Sequence, residues 1–170
     1  MKNIFFYDTM IGQIGIAENG FGITNIFLHN SKIPDDLQLK ETELLKETIN
    51  QLNDYFAGRR ISFNLPLDFQ SGTEFEKYVW MYLKTIPYGE TRSYKEIAQL
   101  VGRVNAFRAV GSACKKNPIA IVIPCHRVIG SDGGLTGYGG GINIKQMLLS
   151  LEKKAAVRHN TNHKSCQIKE

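Results

Sequence analysis

Two helix-start signals, one at Thr73 and one at Ser93, constrain the second half of this chain more than any other feature. In Thr73-Glu74-Phe75-Glu76, and again in Ser93-Tyr94-Lys95-Glu96, a hydroxyl residue stands three positions before a glutamate. This spacing, the capping box, lets both side chains satisfy backbone N–H groups where a helix begins. Pro87-Tyr88-Gly89 stops the first helix and Gly102 stops the second. The sequence therefore predicts two short helices in succession.

A third short helix, over about 106–116 with Asn105 as its N-cap, follows the turn at Gly102. Two short helices joined by a glycine-containing turn form a helix-turn-helix, in which the second is the recognition helix. The β-branched run Ile119–Ile123, closed by Pro124, then predicts a buried strand. With another strand over 127–129, it would add a wing.

The end of the chain is predicted as a helix followed by a polar tail. The helix, over about 143–154, places Ile144, Leu148 and Leu151 on one apolar stripe. Residues 156–170 are polar and aperiodic, which is typical of a chain terminus without fixed packing.

The first part of the chain predicts an α/β domain over 1–70. Apolar residues alternate over 4–28 around the turn Glu18-Asn19-Gly20, which indicates a β-hairpin. A helical stripe over 37–56 and a short strand over 61–65 follow. The stretch 66–72 is bounded by proline and glycine, so we place the boundary to a second, mainly helical domain, 71–155, there.

Charge is divided unevenly between these parts. Residues 1–72 hold 6 Lys and Arg against 9 Asp and Glu, whereas residues 73–155 hold 12 against 6. A basic surface beside a helix-turn-helix is typical of a nucleic-acid binder, although a solubilising surface fits the charge equally well.

Cysteine and hydropathy patterns exclude several classes of protein. The three cysteines form no CxxC pair, so neither a disulfide framework nor a zinc site is expected, and the N-terminal part adds only His29. The start of the chain lacks the pattern of a signal peptide, and no stretch has the length of a membrane span. We therefore expect a cytoplasmic protein that binds no metal and does not contact a membrane.

The pair Cys125-His126 is the strongest candidate for chemistry. A thiolate is a nucleophile and a thiol is not, so a cysteine held beside a base suits nucleophilic catalysis. Neighbouring side chains on a strand point to opposite faces, so His126 would reach the thiol through a water molecule. The alternative is a structural cysteine, since free cysteine is among the most buried residue types.

With its flanks, Asn117-Pro118 through Ile123-Pro124-Cys125-His126-Arg127-Val128, this segment resembles the active-site signature of the O6-alkylguanine-DNA alkyltransferases. Further blocks follow the family's order from Gly72 to Glu152, among them Ile-Pro-Tyr-Gly-Glu-Thr, Arg-Ala-Val-Gly and Leu-Leu-Ser-Leu-Glu. The resemblance covers about half the chain.

The resemblance implies a ribonuclease-H-like α/β N-terminal domain and a winged helix-turn-helix C-terminal domain. It implies direct-reversal DNA repair, in which a monomer without a cofactor flips O6-alkylguanine, or O4-alkylthymine, out of double-stranded DNA. The alkyl group would pass irreversibly to Cys125, once per molecule. Neither Cys114 nor Cys166 is placed to regenerate the thiol.

The family's catalytic residues match five positions of this chain. Glu152 would orient His126, which would deprotonate Cys125 through a water molecule. Asn117 would fix the turn before the thiol and hydrogen-bond near it. Tyr94 would rotate the nucleotide and donate a proton to the leaving base.

The family's DNA contacts and base pocket match a second set of positions. Arg108 would fill the gap left by the flipped base, although an ordinary phosphate contact is the alternative. The small residues Ala109 and Gly111 would let the helix approach the minor groove. Further DNA contacts are assigned to Ser93 and Lys115, and the base pocket to Pro124, Val128, Tyr138 and Gly139. The Val128 carbonyl would read the guanine amino group, and Arg127 is either structural or a phosphate contact.

Four departures from the family pattern, at Val104, Phe107, Ala120 and Gly139, leave substrate breadth open. Two alternative functions remain. A non-enzymatic damage-binding protein would lack the thiol that Cys125 provides. A cysteine hydrolase would leave the helix-turn-helix unexplained, and its histidine would be one of His126, His29, His159 and His163.

Overall fold

A computed structural model describes residues 2–29, 31–69 and 71–166. The N-terminal part forms a four-stranded sheet in the order β3-β2-β1-β4, with β1 antiparallel to β2 and parallel to β4. Its elements are β1 (Asn3–Thr9), β2 (Gly12–Glu18), β3 (Ile23–Phe27), β4 (Gln38–Leu39) and the helix α1 (Glu43–Phe56). The predicted hairpin is confirmed as β2 and β3.

Two predictions for this part were wrong in detail. The helix expected from residue 37 begins at Glu43, where Thr42 accepts a hydrogen bond from the Leu45 N–H, and residues 38–39 pair instead with β1. No strand forms over 61–65. There the backbone of Asn64 bonds to a side chain: its N–H donates to Gln51 Oε1 at 2.9 Å, and its carbonyl accepts from Gln51 Nε2 at 3.1 Å.

The second part consists mainly of helices: α2 (Glu74–Leu83), α3 (Tyr94–Leu100), α4 (Phe107–Lys115) and α5 (Ile142–Cys166). Both predicted capping boxes are confirmed. The Thr73 N–H donates to Glu76 at 2.8 Å, and the Ser93 N–H donates to Glu96 at 2.6 Å, while each hydroxyl accepts from the glutamate N–H.

The helix-turn-helix is formed by α3 and α4, which pack against each other. The Nε1–H of Trp80 on α2 donates to the Ala113 carbonyl at 2.8 Å and fixes α4 against that helix. Asn105 is not the N-cap as predicted. Ala106 holds that position without a side-chain hydrogen bond, and the turn is closed by the Ala106 N–H bonding to the Arg103 carbonyl at 2.8 Å.

The segment before Cys125 and His126 is not the predicted strand. Ile121 has a φ of 75°, a left-handed conformation that β-branched residues rarely adopt, and the Ile123 N–H bonds back to the Ile119 carbonyl at 2.9 Å. The chain therefore turns here, and Cys125–Arg127 form a short 3-10 helix. The expected strand over 127–129 is present as β6 (Val128–Ile129), but it pairs in parallel with β5 (Arg92–Ser93).

The last helix is longer than predicted, because α5 continues to Cys166 through much of the expected tail. Its sequence holds neither glycine nor proline to stop it. Ala155 is buried, and Ala156 lies against Gly89. Residues 167–170 of the predicted tail lie outside the described residues.

The two parts share one hydrophobic core, which joins α1 of the first to α2 and the Ile119–Ile123 segment of the second. The Ile26 N–H on β3 also donates to the Pro118 carbonyl at 2.8 Å. The chain before Cys125 is therefore held against the N-terminal sheet. None of the helices in the described part is long and apolar enough to cross a membrane.

Candidate active site and nucleic-acid interface

The thiol of Cys125 is nearly enclosed, with 5% of the residue exposed. Asn117 Nδ2 lies 3.1 Å from Sγ and 2.8 Å from the Ile123 carbonyl, while Asn117 Oδ1 accepts from the Ile119 N–H. One amide thus fixes both the turn and the position of the sulfur. Burial raises the pKa of Cys125, although Asn117 and Lys145 act in the opposite direction. The thiol is therefore protonated at rest.

His126 is fully buried and bonded to Glu152. Its Nε2 lies 2.8 Å from Glu152 Oε1, whereas Nδ1 has no hydrogen-bond partner among the described residues. Burial would raise the pKa of Glu152, but hydrogen bonds from His126 and Arg127 lower it to about 2. Since the carboxylate is ionised, it accepts a hydrogen bond from Nε2–H. In the neutral imidazole, Nδ1 then carries no proton and can act as a base.

Within the part of the chain that the structure describes, Glu152 accepts hydrogen bonds from four residues. Besides His126, Arg127 donates from Nε to Oε2 and from Nη2 to Oε1, both at 2.9 Å. The Gly89 N–H donates to Oε2 at 3.1 Å, and the hydroxyl of Tyr55 donates to Oε1 at 2.7 Å. Arg127 is buried and also bonds to the Ile86 carbonyl, so it is a structural residue and not a phosphate contact.

Cys125 and His126 do not alternate along a strand as predicted, because both lie in the 3-10 helix. Within the described part of the chain, their side chains nevertheless form no direct hydrogen bond. A bridging water remains a prediction.

Sequence reasoning missed Lys145, which is fully buried beside the site. Its Nζ donates to the Val128 carbonyl at 2.5 Å and to the Thr136 carbonyl at 3.1 Å, so the carbonyl expected to read guanine already has a partner. Burial lowers the pKa of Lys145. The signal lay in α5, whose buried positions include Lys145, Leu148 and Glu152 at helical spacing, rather than the predicted apolar stripe alone.

The remaining pocket residues lie around the loop that follows β6. The Tyr94 hydroxyl donates to the Thr136 carbonyl at 3.1 Å. The ring of Tyr138 lies 6.4 Å from that of His126, and its buried hydroxyl has no hydrogen-bond partner in residues 2–29, 31–69 and 71–166. Gly139 is exposed, whereas Pro124 is buried directly before Cys125.

A cleft of about 400 Å³ opens between α4 and this loop; it is lined by Tyr94, Phe107, Arg108, Gly111, Ser112, Lys115, Thr136 and Gly137. Arg108, Ala109 and Lys115 are exposed on α4. A side chain at Gly111 would meet only the Tyr94 ring, at an ordinary 3.8 Å. The fold itself therefore does not require glycine there. The Ser93 hydroxyl accepts the N–H of Glu96 in the cap of α3, which leaves its O–H free to donate.

Other candidates of the sequence lie apart from this arrangement. His29 is exposed, and Cys114 is buried on α4. The side chains of His159, His163 and Cys166 lie outside the described part. Among the side chains that are described, no cluster of histidine, cysteine or carboxylate groups could hold a metal ion.

The fold and the site together define a two-part DNA-binding protein with a buried thiol beside a histidine. The family model described as "6-O-methylguanine DNA methyltransferase, DNA binding domain" matches residues 74–154, and its "ribonuclease-like domain" counterpart matches residues 5–69. The chain belongs to this family of methyltransferases. The predicted family, fold class and activity, DNA repair by alkyl transfer to a protein cysteine, are confirmed at this level.

Curated relatives and solved structures agree. The methylated-DNA--protein-cysteine methyltransferase of Methanosarcina barkeri is 50% identical, over 87% of this chain and 97% of the relative. The constitutive enzyme of Bacillus subtilis is 46% identical, over 86% and 92%. The structure of Mycobacterium tuberculosis OGT in complex with DNA has a TM-score of 0.86 and 46% identity, and covers 90% of this chain and 94% of that one. DNA is accordingly the partner of this protein.

Proposed function

We propose that this protein removes the alkyl group from O6-alkylguanine, and from O4-alkylthymine, by taking it onto Cys125 in one irreversible step. The observation that carries the proposal is that Nδ1 of His126, the residue next to an enclosed cysteine, is without a partner among the residues that the structure describes. The ionised Glu152 holds Nε2 of His126 by a hydrogen bond. A base oriented in this way by a third group is what general-base activation of a nucleophile requires.

In the proposed reaction, the Sγ proton of Cys125 passes through a water molecule to Nδ1 of His126. The thiolate attacks the alkyl carbon on O6, so that an S–C bond forms while the C–O bond breaks. The electron pair of that bond goes to the base, which takes a proton from the Tyr94 hydroxyl. Asn117 holds the sulfur during the attack.

The base must leave the duplex to reach a buried sulfur. We assign the cleft on α4 to the DNA, with Arg108 in the space left by the base and Ala109 and Gly111 against the groove. Lys115 then contacts the phosphate backbone, and the Ser93 O–H, which the cap of α3 leaves free, donates to a phosphate as well. The pocket for the flipped base is assigned to Pro124, Val128, Tyr138 and Gly139, and Lys145 would keep the Val128 carbonyl in place.

The test is a titration with excess duplex that contains O6-methylguanine with a deuterated methyl group. Because a thioether offers no good leaving group, we expect a burst that ends at one methyl per protein, carried by the peptide with Cys125. Turnover beyond that plateau, or a label on Cys114 or Cys166, would contradict the mechanism.

Two variants separate binding from chemistry. Cys125→Ser should bind duplex DNA as the unmodified protein does and transfer nothing. Cys114→Ser, the control at the other buried cysteine, should keep full transfer. Tight binding without transfer by the unmodified protein would instead indicate a damage-binding protein.

A further inference from the structure

We infer that Tyr55, a residue of the N-terminal domain, is a positioning residue that holds Glu152 for His126, so that the N-terminal domain completes the relay of the C-terminal domain. The inference rests on the proposed function, in which His126 is the base. It assigns a part in the reaction to α1, on which no catalytic residue was expected.

The geometry around the Tyr55 hydroxyl is specific. The oxygen lies 2.7 Å from Glu152 Oε1 and 3.4 Å from His126 Nε2, and the residue is fully buried. Burial, and then the negative charge of Glu152, raise the pKa of Tyr55. The hydroxyl therefore stays protonated and donates a hydrogen bond to the carboxylate.

The donors on Glu152 divide between the domains. Oε2 is held by Arg127 and Gly89, whereas Oε1, the oxygen that faces His126, is held by Arg127 and Tyr55. Without the hydroxyl, the carboxylate keeps its charge and most of its partners but loses a donor that comes from outside the C-terminal domain. Its rotation relative to the imidazole is then less constrained.

A purely structural role is the competing explanation, because the Tyr55 ring packs against Phe56, Phe63 and Tyr88. The ring and the hydroxyl can be tested separately. Tyr55→Phe removes the hydroxyl and keeps the ring, and Phe63→Leu alters a ring contact and keeps the hydroxyl. Tyr7→Phe is the matched control, since the Tyr7 hydroxyl also donates to a carboxylate of this domain, that of Glu41 at 3.0 Å.

The experiment measures single-turnover transfer from O6-methylguanine duplex at increasing DNA concentration, which separates the affinity for DNA from the maximal rate. For Tyr55→Phe we expect unchanged affinity and a maximal rate lowered about tenfold, the effect of about 1.4 kcal/mol on the barrier. Tyr7→Phe and Phe63→Leu should keep the maximal rate.

A second measurement needs neither DNA nor activity. In the proton NMR spectrum of the free protein, the Nε2–H signal of His126 should shift and exchange faster with water in Tyr55→Phe, and stay in place in Tyr7→Phe. An unchanged signal, an unchanged maximal rate, or an equal loss in Phe63→Leu would overturn the inference. Failure of the unmodified protein to transfer methyl would instead overturn the proposed function.

Discussion

Opposing influences set the protonation of His126. Burial lowers its pKa, while the hydrogen bond to Glu152 and the carboxylate charge act to raise it, and burial prevails. The imidazole is therefore neutral near pH 7, with its proton on Nε2 and a vacant Nδ1. A neutral base of this kind can take a proton from the thiol, whereas an imidazolium could not.

At the same scale, Arg108→Ala should separate base flipping from transfer. If Arg108 fills the space left by the base, its loss should slow repair of duplex roughly tenfold or more, because unstacking costs a few kcal/mol. Reaction with the free base O6-benzylguanine should change little. Arg108→Lys, which keeps the charge, is the control: full recovery by lysine would indicate a phosphate contact.

Gly89→Ala should destabilise the fold more than the same change at Gly102. Both glycines have positive φ, 79° and 72°, which costs alanine about 1–2 kcal/mol. Only at Gly89 would the new Cβ lie 2.9 Å from Ala156 Cβ, whereas nothing lies within 4 Å at Gly102. Urea unfolding should show an additional loss of about 1–3 kcal/mol at Gly89. Equal losses of stability in the two variants would mean that α5 moves away from the new Cβ at Gly89 at no cost.

At the scale of elements, the sequence predicted best where local chemistry decides the structure. The starts of α2 and α3 follow from capping boxes whose two partners lie within one turn. The prediction of Asn105 as an N-cap was wrong, because a backbone hydrogen bond closes that turn without a side-chain cap. Local signals of this kind say little about the partners of a buried side chain.

Elements that depend on tertiary contacts were predicted less well. The run Ile119–Ile123 is apolar because it is buried, and burial does not distinguish a strand from a turn that is held by Asn117. Tyr55 belongs to the apolar stripe of α1, and only its contact with Glu152 separates it from a core aromatic. The tail was predicted from its polarity, but polarity alone does not end a helix, and α5 continues to Cys166.

A test at this scale is Gly111→Ala on α4. Since the interior does not require glycine there, alanine should stabilise the free protein by up to about 1 kcal/mol through helix propensity. It should also weaken binding to duplex DNA, if the helix approaches the groove at this point. Ser150→Ala on the exposed side of α5 is the control, which should leave DNA affinity unchanged. If Gly111→Ala bound duplex DNA with unchanged affinity, the face of α4 at Gly111 would not contact the DNA.

At the scale of the whole molecule, stability should fall with acid in two stages. The pKa of His126 lies below its ordinary 6.5, and that of Glu152 lies near 2 against an ordinary 4.5. In both cases the unfolded chain binds more protons, so stability is complete above the ordinary pKa and is lost below it. For Glu152 the loss between pH 4.5 and 2 is on the order of 3 kcal/mol.

Urea unfolding at pH 7.5, 5.5 and 3.5 would follow the stage of His126 and the upper part of the stage of Glu152. Glu43→Gln, which removes an exposed carboxylate paired with Lys46, should leave the pH profile unchanged, because surface pairs contribute little. A profile that is flat down to pH 3.5 in the unmodified protein would contradict the buried network.

The contact between β3 and the Pro118 segment has a further consequence, which concerns aggregation. An open sheet edge is a template for pairing with another chain. Here the outer edge of β3 is covered by Pro66 at one end and by Pro118 and Ile119 at the other. The segment that leads to Cys125 thus also covers an open sheet edge. Substitutions that loosen it would reduce solubility and, if Cys125 is the nucleophile, repair as well.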